Sequence, residues 1–146
     1  MVFYRRPTKL TRAFNRFMGW LAYRGLMPSD TITLEVKGRR SGMIRSNVVT
    51  WVERDEERYL VSPRGESEWV RNVRAADGEA VIRRRGGEKV RLEEVPAEER
   101  AAIIKAYLAK TKMATRQHFG VDPKAETGEF EAIAARHPVF RIVEAD

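Results

Sequence analysis

Cysteine is absent from this sequence of 146 residues. A chain without cysteine forms no disulfide, offers no thiolate nucleophile and cannot ligate zinc through sulfur, and it is compatible with a reducing cytoplasm. Histidine is scarce, since the two copies, His118 and His137, lie in different segments and have no evident carboxylate partner. We therefore predict no metal site, and the sequence identifies no catalytic residue.

Long hydrophobic runs are also missing. The apolar stretch over residues 17–27, FMGWLAYRGLM, is interrupted by Arg24 and is far shorter than the roughly 20 residues of a membrane-spanning helix. A small-residue cleavage site, which a signal peptide requires, does not follow it. We expect a soluble, cytoplasmic protein whose residues 1–146 form a single domain, since a chain of this length buries roughly 70% of its unfolded surface.

The sequence motifs of several large enzyme classes do not occur. The phosphate loop GxxxxGK[ST], the dinucleotide motif GxGxxG, the serine hydrolase motif GxSxG and the zinc motif HExxH are all absent. A chain that brings no acid, base, nucleophile or metal of its own does chemistry chiefly by binding and orienting a cofactor.

Acidic residues are absent from positions 1–29, where six basic residues occur. A second cluster without acids contains Lys37, Arg39, Arg40 and Arg45, and the formal net charge is +7. Such segregated charge favours anionic partners: nucleic acid, anionic lipid, or a phosphorylated or polycarboxylate small molecule. Nucleic-acid binding is not favoured, because no aromatic residues interleave with a basic strand face.

The N-terminal segment has the spacing of an amphipathic helix over about residues 8–25. Apolar residues recur from Leu10 to Leu21 at helical intervals, and Lys9, Arg12 and Arg16 lie on the opposite face. We expect a surface helix that packs on its own domain. A helix that lies on a membrane surface, giving peripheral membrane association, is the alternative.

After this helix the hydrophobic period changes to two and predicts strands. TITLEVKG, SNVVTWVE and RYLVS form three strands, and a short helix then begins with Ser67 as its N-cap and ends at Asp77-Gly78. EAVIRRR and EKVRLEEV follow, joined by a two-residue turn at Gly86-Gly87. A helix after Pro96, a loop over FGVDPKAETGEF, the short helix EAIAARH and the strand VFRIV complete the order. Six strands joined by tight turns predict an antiparallel sheet that curls into a small barrel with flanking helices, an α+β fold.

The turn between the first two strands, GRRSGMIRSN, combines glycine with positive charge. Arg39, Arg40 and Arg45 offer guanidinium groups and Ser41 offers a hydroxyl, while the two glycines let the backbone bend close to an anion. From these residues alone the turn is either an anion-binding site or a solvated hairpin tip.

Two motifs in this order resemble those of a known family. GRRSGMIRSN followed by RYLVSPRGESEWVRNVRA, the PAEER helix and the closing HPVFRIVE resemble the deazaflavin-dependent nitroreductase family over roughly residues 8–144. The resemblance implies a split β-barrel related to FMN-binding proteins, frequent homodimers, and coenzyme F420 as the hydride carrier.

The resemblance also implies a set of cofactor-binding residues. Phosphate and polyglutamate contacts fall on Arg40, Ser41 and Arg45 of the basic turn that also contains Arg39. Asn47, Val48 and Val49 run beside the deazaflavin ring, Ser62, Arg64 and Gly65 form a loop over the tail, and Trp69 and Asn72 close the pocket.

The implied activity is hydride transfer from reduced F420 to an electron-poor small molecule such as a quinone, an enone or a nitro compound. Ile44, Val48 and Thr50 stand where nitroimidazole-reducing members carry two prolines and an aromatic residue, so we do not expect that activity to carry over. The alternatives are an FMN-binding reductase and a noncatalytic split-barrel protein that carries haem or a fatty acid.

Overall fold

The computed structural model describes residues 31–84, 86–111, 119 and 126–145. The predicted N-terminal helix, about residues 8–25, lies outside the described residues, and so does its predicted membrane association. Both stay predictions, as does the assignment of residues 1–146 to a single domain.

The strands form a closed antiparallel barrel. In chain order they are β1 (Thr31–Lys37), β2 (Ile44–Arg54), β3 (Glu57–Val61), β4 (Glu79–Arg83), β5 (Gly87–Glu94) and β6 (Val139–Glu144). Around the barrel the order is β1-β2-β3-β6-β5-β4, and β4 pairs back with β1. The predicted six-stranded antiparallel barrel of α+β class is confirmed.

Helices cover one end and one side of this barrel. In the described ranges they are α1 (Glu68–Ala75), α2 (Ala101–Thr111) and α3 (Thr127–Ile133), with 3-10 turns at Ala97–Glu99 and Ala134–Arg136. α1 contacts β1, whereas α2 packs on the outer face of β2 and β3 and against α3.

Alternating strand residues fill the barrel interior. Ile32, Leu34 and Val36 of β1 are buried there, in agreement with the period of two in TITLEVK. α1 inserts Trp69 and Val73 into the same cluster, which closes that end of the barrel. A second cluster lies outside the barrel between β2, β3, α2 and α3.

The C-terminal end of α1 follows from two residues with positive φ. Asp77 has a φ of 54° and Gly78 a φ of 83°. The amide of Gly78 donates to the carbonyl of Val73 at 2.9 Å, and the amide of Asp77 donates to the carbonyl of Arg74 at 3.3 Å. This pair of bonds is a Schellman motif, so the predicted helix end at Asp77-Gly78 is confirmed.

The predicted two-residue turn at Gly86-Gly87 is wrong. Arg83 pairs with Gly87, so the connection has three residues, 84–86, and Gly87 is the first residue of β5. Gly86 supplies a positive φ, 143°, and the last position is the usual place of glycine in a three-residue hairpin loop. The glycine pair in the sequence does not distinguish these two registers.

The segment Thr127–Phe130 was predicted as loop and is helical. Gly128 lowers its intrinsic helix propensity. Phe130 is fully buried in the cluster that α3 forms with α2, and this tertiary packing outweighs the weak local preference.

A charged network joins α1 to β5 and to the start of α2. Arg74 donates to Glu66 and Glu94, at 2.7 Å to Glu94 Oε2, and the buried Arg100 donates to the same oxygen at 3.2 Å. The hydrogen bond from Arg74 lowers the pKa of Glu94 below its ordinary value. The network therefore anchors α1, which forms one wall of a cleft beside the turn between β1 and β2.

Candidate functional site

The turn between β1 and β2 is held by its own hydrogen bonds. The amide of Gly38 donates to the carbonyl of Met43 at 2.7 Å, and the amide of Gly42 donates to the carbonyl of Gly38 at 2.9 Å. Gly42 has a φ of 75°, and a Cβ on Gly38 would lie 3.0 Å from the carbonyl oxygen of Met43. Ser41 Oγ accepts from the amide of Met43 at 3.2 Å. Gly42 thus has a backbone conformation that residues with a side chain rarely adopt, and a side chain at Gly38 would force the turn to shift by a few tenths of an ångström.

Arg39 fastens the turn to α1. Its amide and its Nη1 both donate to Asn72 Oδ1, at 3.1 Å and 2.8 Å, and Nη1 lies 2.8 Å from Glu68 Oε2. The hydrogen bond from Arg39 lowers the pKa of Glu68. Asn72 is buried and Glu68 is exposed, so the contact runs from the floor of a cleft to its rim.

The cleft between the turn and α1 has a volume of about 500 Å³. It is lined by Gly38, Arg39, Arg40, Ser41, Ile44, Arg45, Ser46, Asn47, Glu68 and Asn72. Six of the residues predicted from the sequence, Arg39, Arg40, Ser41, Arg45, Asn47 and Asn72, thus line one cleft. They come from the β1–β2 turn, β2 and α1, and the barrel brings them together.

The electrostatics of the cleft come from two exposed arginines. In the described residues no carboxylate forms an ion pair with Arg40 or Arg45, whereas Arg39 is committed to Glu68 and Asn72. Two guanidinium groups beside a rigid, glycine-containing turn are suited to phosphate or carboxylate oxygens. The donor set therefore fits an anionic ligand.

The other predicted residues of β2 lie beyond the cleft along the strand. Val49 pairs with Ile32 and packs against the barrel core, and Val48 pairs with Thr33 and has the opposite orientation. Neither valine lines the cleft.

The predicted loop Ser62 to Gly65 forms a buried turn beside α1. Ser62 Oγ donates to the carbonyl of Gly65 at 2.5 Å and lies 3.3 Å from the hydroxyl of Ser67. Ser67 is the N-cap residue of α1, as predicted, but its side chain makes no capping hydrogen bond. Arg64 is half-buried in the same turn. None of the predicted loop residues lines the cleft.

Trp69 lies in the barrel core. Its side chain is 7% exposed, and its ring centroid is 5.7 Å from that of Phe140 at a tilt of 53°. Asn72 follows three residues later on α1 and lines the cleft. The helix therefore contributes Trp69 to the core and Asn72 to the cleft floor.

Glu68 lines the cleft and was not predicted as part of the site. It stands four residues before Asn72 on α1, and residues with this spacing lie on one face of a helix. That spacing was the available signal. Ile44 was also missed, because β2 begins two residues earlier than the predicted strand. Ser46, the first residue of that predicted strand, lines the cleft as well and was not predicted as a site residue.

Comparisons with known proteins show the family. The sequence profile described as F420H(2)-dependent quinone reductase matches residues 5–122. This chain belongs to that family. It is an F420-dependent reductase, and the predicted cofactor, coenzyme F420, is confirmed. The description of the family mentions neither an FMN-binding reductase nor a noncatalytic carrier, the two alternatives from the sequence.

Several solved structures share the fold of this family member. A protein of unknown function from Agrobacterium tumefaciens str. C58, Atu2129, superposes with a TM-score of 0.59 at 15% identity, over 97% of this chain and 60% of that chain. A structure described as a domain-swapped dimer gives 0.56 at 15% identity, over 91% and 96%. An F420-H2 dependent reductase, FDR-A, gives 0.51 at 18% identity, over 80% and 96%. At these identities the likeness shows the fold alone. No protein with a curated functional description matches this sequence.

The comparisons also bear on the remaining predictions. The family shown is that of the quinone reductases, so nitro-compound reduction stays a prediction. Among the residues that the structure describes, no helix is long and apolar enough to cross a membrane.

Proposed function

We propose that the cleft between the β1–β2 turn and α1 binds the phosphate and glutamate tail of F420, and that the enzyme reduces an electron-poor acceptor such as a quinone. The observation that carries the proposal is the position of Arg40 and Arg45, which form no ion pair among the described residues, on a turn held by its own hydrogen bonds. Enones and nitro compounds share the required electron deficiency and remain candidate acceptors.

The roles within the cleft follow from the contacts. Arg40 and Arg45 bind the anionic groups of the tail, and the Ser41 hydroxyl, which accepts from the amide of Met43, has its own proton left to donate. Arg39 positions the turn against α1 through Asn72 and Glu68. It thereby holds the two anion-binding arginines in place.

We place the deazaflavin ring along β2 beside Asn47, Val48 and Val49. β2 leads directly from the cleft into the barrel wall, so a ligand with its tail at Arg45 meets these residues next. Reduced F420 supplies the hydride, and the chain contributes binding, orientation and exclusion of water. In this arrangement α1 is supported on the side away from the cleft by Ser62, Gly65 and Trp69. A contact between the half-buried Arg64 and the tail stays a prediction.

Replacement of Arg40 or Arg45 by glutamine should weaken F420 binding by roughly ten- to a hundredfold, because each change removes charge-assisted hydrogen bonds worth about 1.5–3 kcal/mol. Calorimetric titration measures the effect. A truncated deazaflavin without the phosphate tail should bind both variants and the parent alike, and added salt should narrow the difference for F420.

The matched control is Arg91→Gln, which removes the same charge from an exposed position on β5. It should leave F420 affinity unchanged. If both cleft variants bind F420 as tightly as the parent at low salt, the turn is a solvated hairpin tip and the tail binds elsewhere. Titration with FMN in parallel, followed by assays with quinone, enone and nitro acceptors, tests the cofactor preference and the acceptor class.

The predicted homodimer has support at the rim of the cleft. Met43 and Ile44 are 66% and 61% exposed, and no other large hydrophobic side chain of the described residues is as exposed. A second copy that covers them would also enclose the cleft. We expect the parent to sediment as a dimer and Ile44→Glu to sediment as a monomer; a parent that is monomeric at all concentrations would contradict this.

A further inference from the structure

A second cavity, of about 340 Å³, lies at the opposite end of the barrel from α1. Its lining comes from the β4–β5 hairpin and the far half of β2: Trp51, Ile82, Arg84, Gly86, Gly87 and Glu88. Trp51 stands four residues after Asn47 on β2, which corresponds to about 13 Å. The cavity is therefore separate from the F420 cleft.

Arg84, the first residue after β4, lines the cavity together with Ile82 of the barrel core. Its backbone amide donates to the carbonyl of Gly86 at 3.0 Å, which fixes the loop at this point. An arginine is thus held at the barrel mouth.

The Nε of Arg84 is buried and has no hydrogen-bond partner among the described residues. A buried donor of a charged group that is left unpaired costs free energy, and native structures usually satisfy such groups. Arg84 also lines the cavity, so this unsatisfied donor belongs to a side chain that a ligand in the cavity meets.

The acidic residue of the cavity does not neutralise Arg84. Glu88 is bound by Arg58, with Nη2 to Oε2 at 2.9 Å and Nη1 to Oε1 at 3.4 Å. Arg58 also lies over the ring of Trp51, with its Cζ 4.8 Å from the ring centroid. No carboxylate of the described residues forms an ion pair with Arg84, so its positive charge stays available beside the ring of Trp51.

We propose that this cavity is a second small-molecule site and that it binds an aromatic carboxylate. A carboxylate accepts from Arg84 Nε and from a terminal nitrogen of the same guanidinium, and the ring of the ligand packs against Trp51 and Ile82. Gly86 has no side chain that would narrow the mouth, and a Cβ on it would have no heavy atom within 4 Å. The proposal does not depend on where F420 binds.

The test uses benzoate as the probe and benzamide as its neutral isostere, with the full-length protein. Binding is followed by NMR through the indole signal of Trp51, which is assigned with Trp51→Phe. We expect saturable binding in which benzoate binds at least about tenfold tighter than benzamide, because only the acid forms charge-assisted hydrogen bonds. Arg84→Gln should abolish that preference, and Arg84→Lys, which keeps the charge without the planar guanidinium, should reduce it.

Two controls separate this site from the F420 cleft. Arg40→Gln should leave benzoate affinity unchanged, and Arg84→Gln should leave F420 affinity and the thermal unfolding midpoint unchanged. Absence of saturable benzoate binding, equal affinity for acid and amide, or full binding in Arg84→Gln would each overturn the proposal. Loss of benzoate binding in Arg40→Gln alone would assign the carboxylate to the cleft and would equally overturn it.

Discussion

Replacing Trp69 by alanine is expected to lower the free energy of unfolding by about 3–5 kcal/mol, the range for a truncated core aromatic residue. Trp69 is 7% exposed in the barrel interior, and its ring packs against Phe140 at the end that α1 closes. Alanine would leave a cavity between the helix and the strands. Denaturant unfolding of the parent and the variant measures the loss.

The same variant distinguishes the two roles that a tryptophan in this motif can have. Trp69→Phe, which keeps an aromatic ring, should recover most of the stability. F420 affinity, measured where both variants are folded, should change little, because Trp69 lies in the core and does not line the cleft. Unchanged stability together with a large loss of F420 affinity would show that the indole binds the cofactor.

Gly78→Ala is expected to destabilise the protein by roughly 2–5 kcal/mol, as the sum of a left-handed backbone cost and an overpacking cost. Gly78 has a φ of 83°, and a Cβ on it would overlap the carbonyl oxygen of Leu92 on β5. That carbonyl belongs to the barrel backbone and cannot move without disturbing a strand. Thermal and denaturant unfolding measure the effect.

Gly128→Ala provides the matched control. Gly128 lies in α3, and a Cβ on it would have no heavy atom within 4 Å. Alanine there should change stability by less than about 1 kcal/mol, toward stabilisation, because it is the better helix former. Equal effects of the two substitutions would contradict the assignment of Gly78 to a close backbone contact.

The order of elements could be predicted from the sequence because their signals are local. The alternation in TITLEVK requires neighbours only two positions apart, and the end of α1 requires only an Asp-Gly pair that adopts positive φ. The turn after β4 and the start of α3 could not be predicted. The turn is a choice between two local registers that the glycine pair does not distinguish, and Arg83 pairs with Gly87. The start of α3 depends on a distant contact, that of Phe130 with α2.

Part of the candidate site was likewise predictable. The glycines of GRRSGMIRSN and its arginines mark a rigid basic turn, and that turn borders the cleft. The predicted residues after Val61 divide according to packing: Asn72 lies on the cleft floor, whereas Ser62 and Trp69 are buried behind it. A motif names residues in order along the chain and carries no information on which face of α1 each of them takes.

The sequence by itself determined the strand pattern and the basic turn, and its resemblance to a known family predicted F420, which the family match confirms. Only the tertiary structure decided which charges stay available. Arg39 and Arg40 are adjacent in sequence, but Arg39 is paired with Glu68 and Asn72 whereas Arg40 has no ion-pair partner in the described ranges. In the described ranges Arg84 Nε is buried without a hydrogen-bond partner, and the barrel places Arg84 in the same cavity as Trp51. Pairing depends on distances between segments far apart in the chain, and these distances exist only once the barrel has closed.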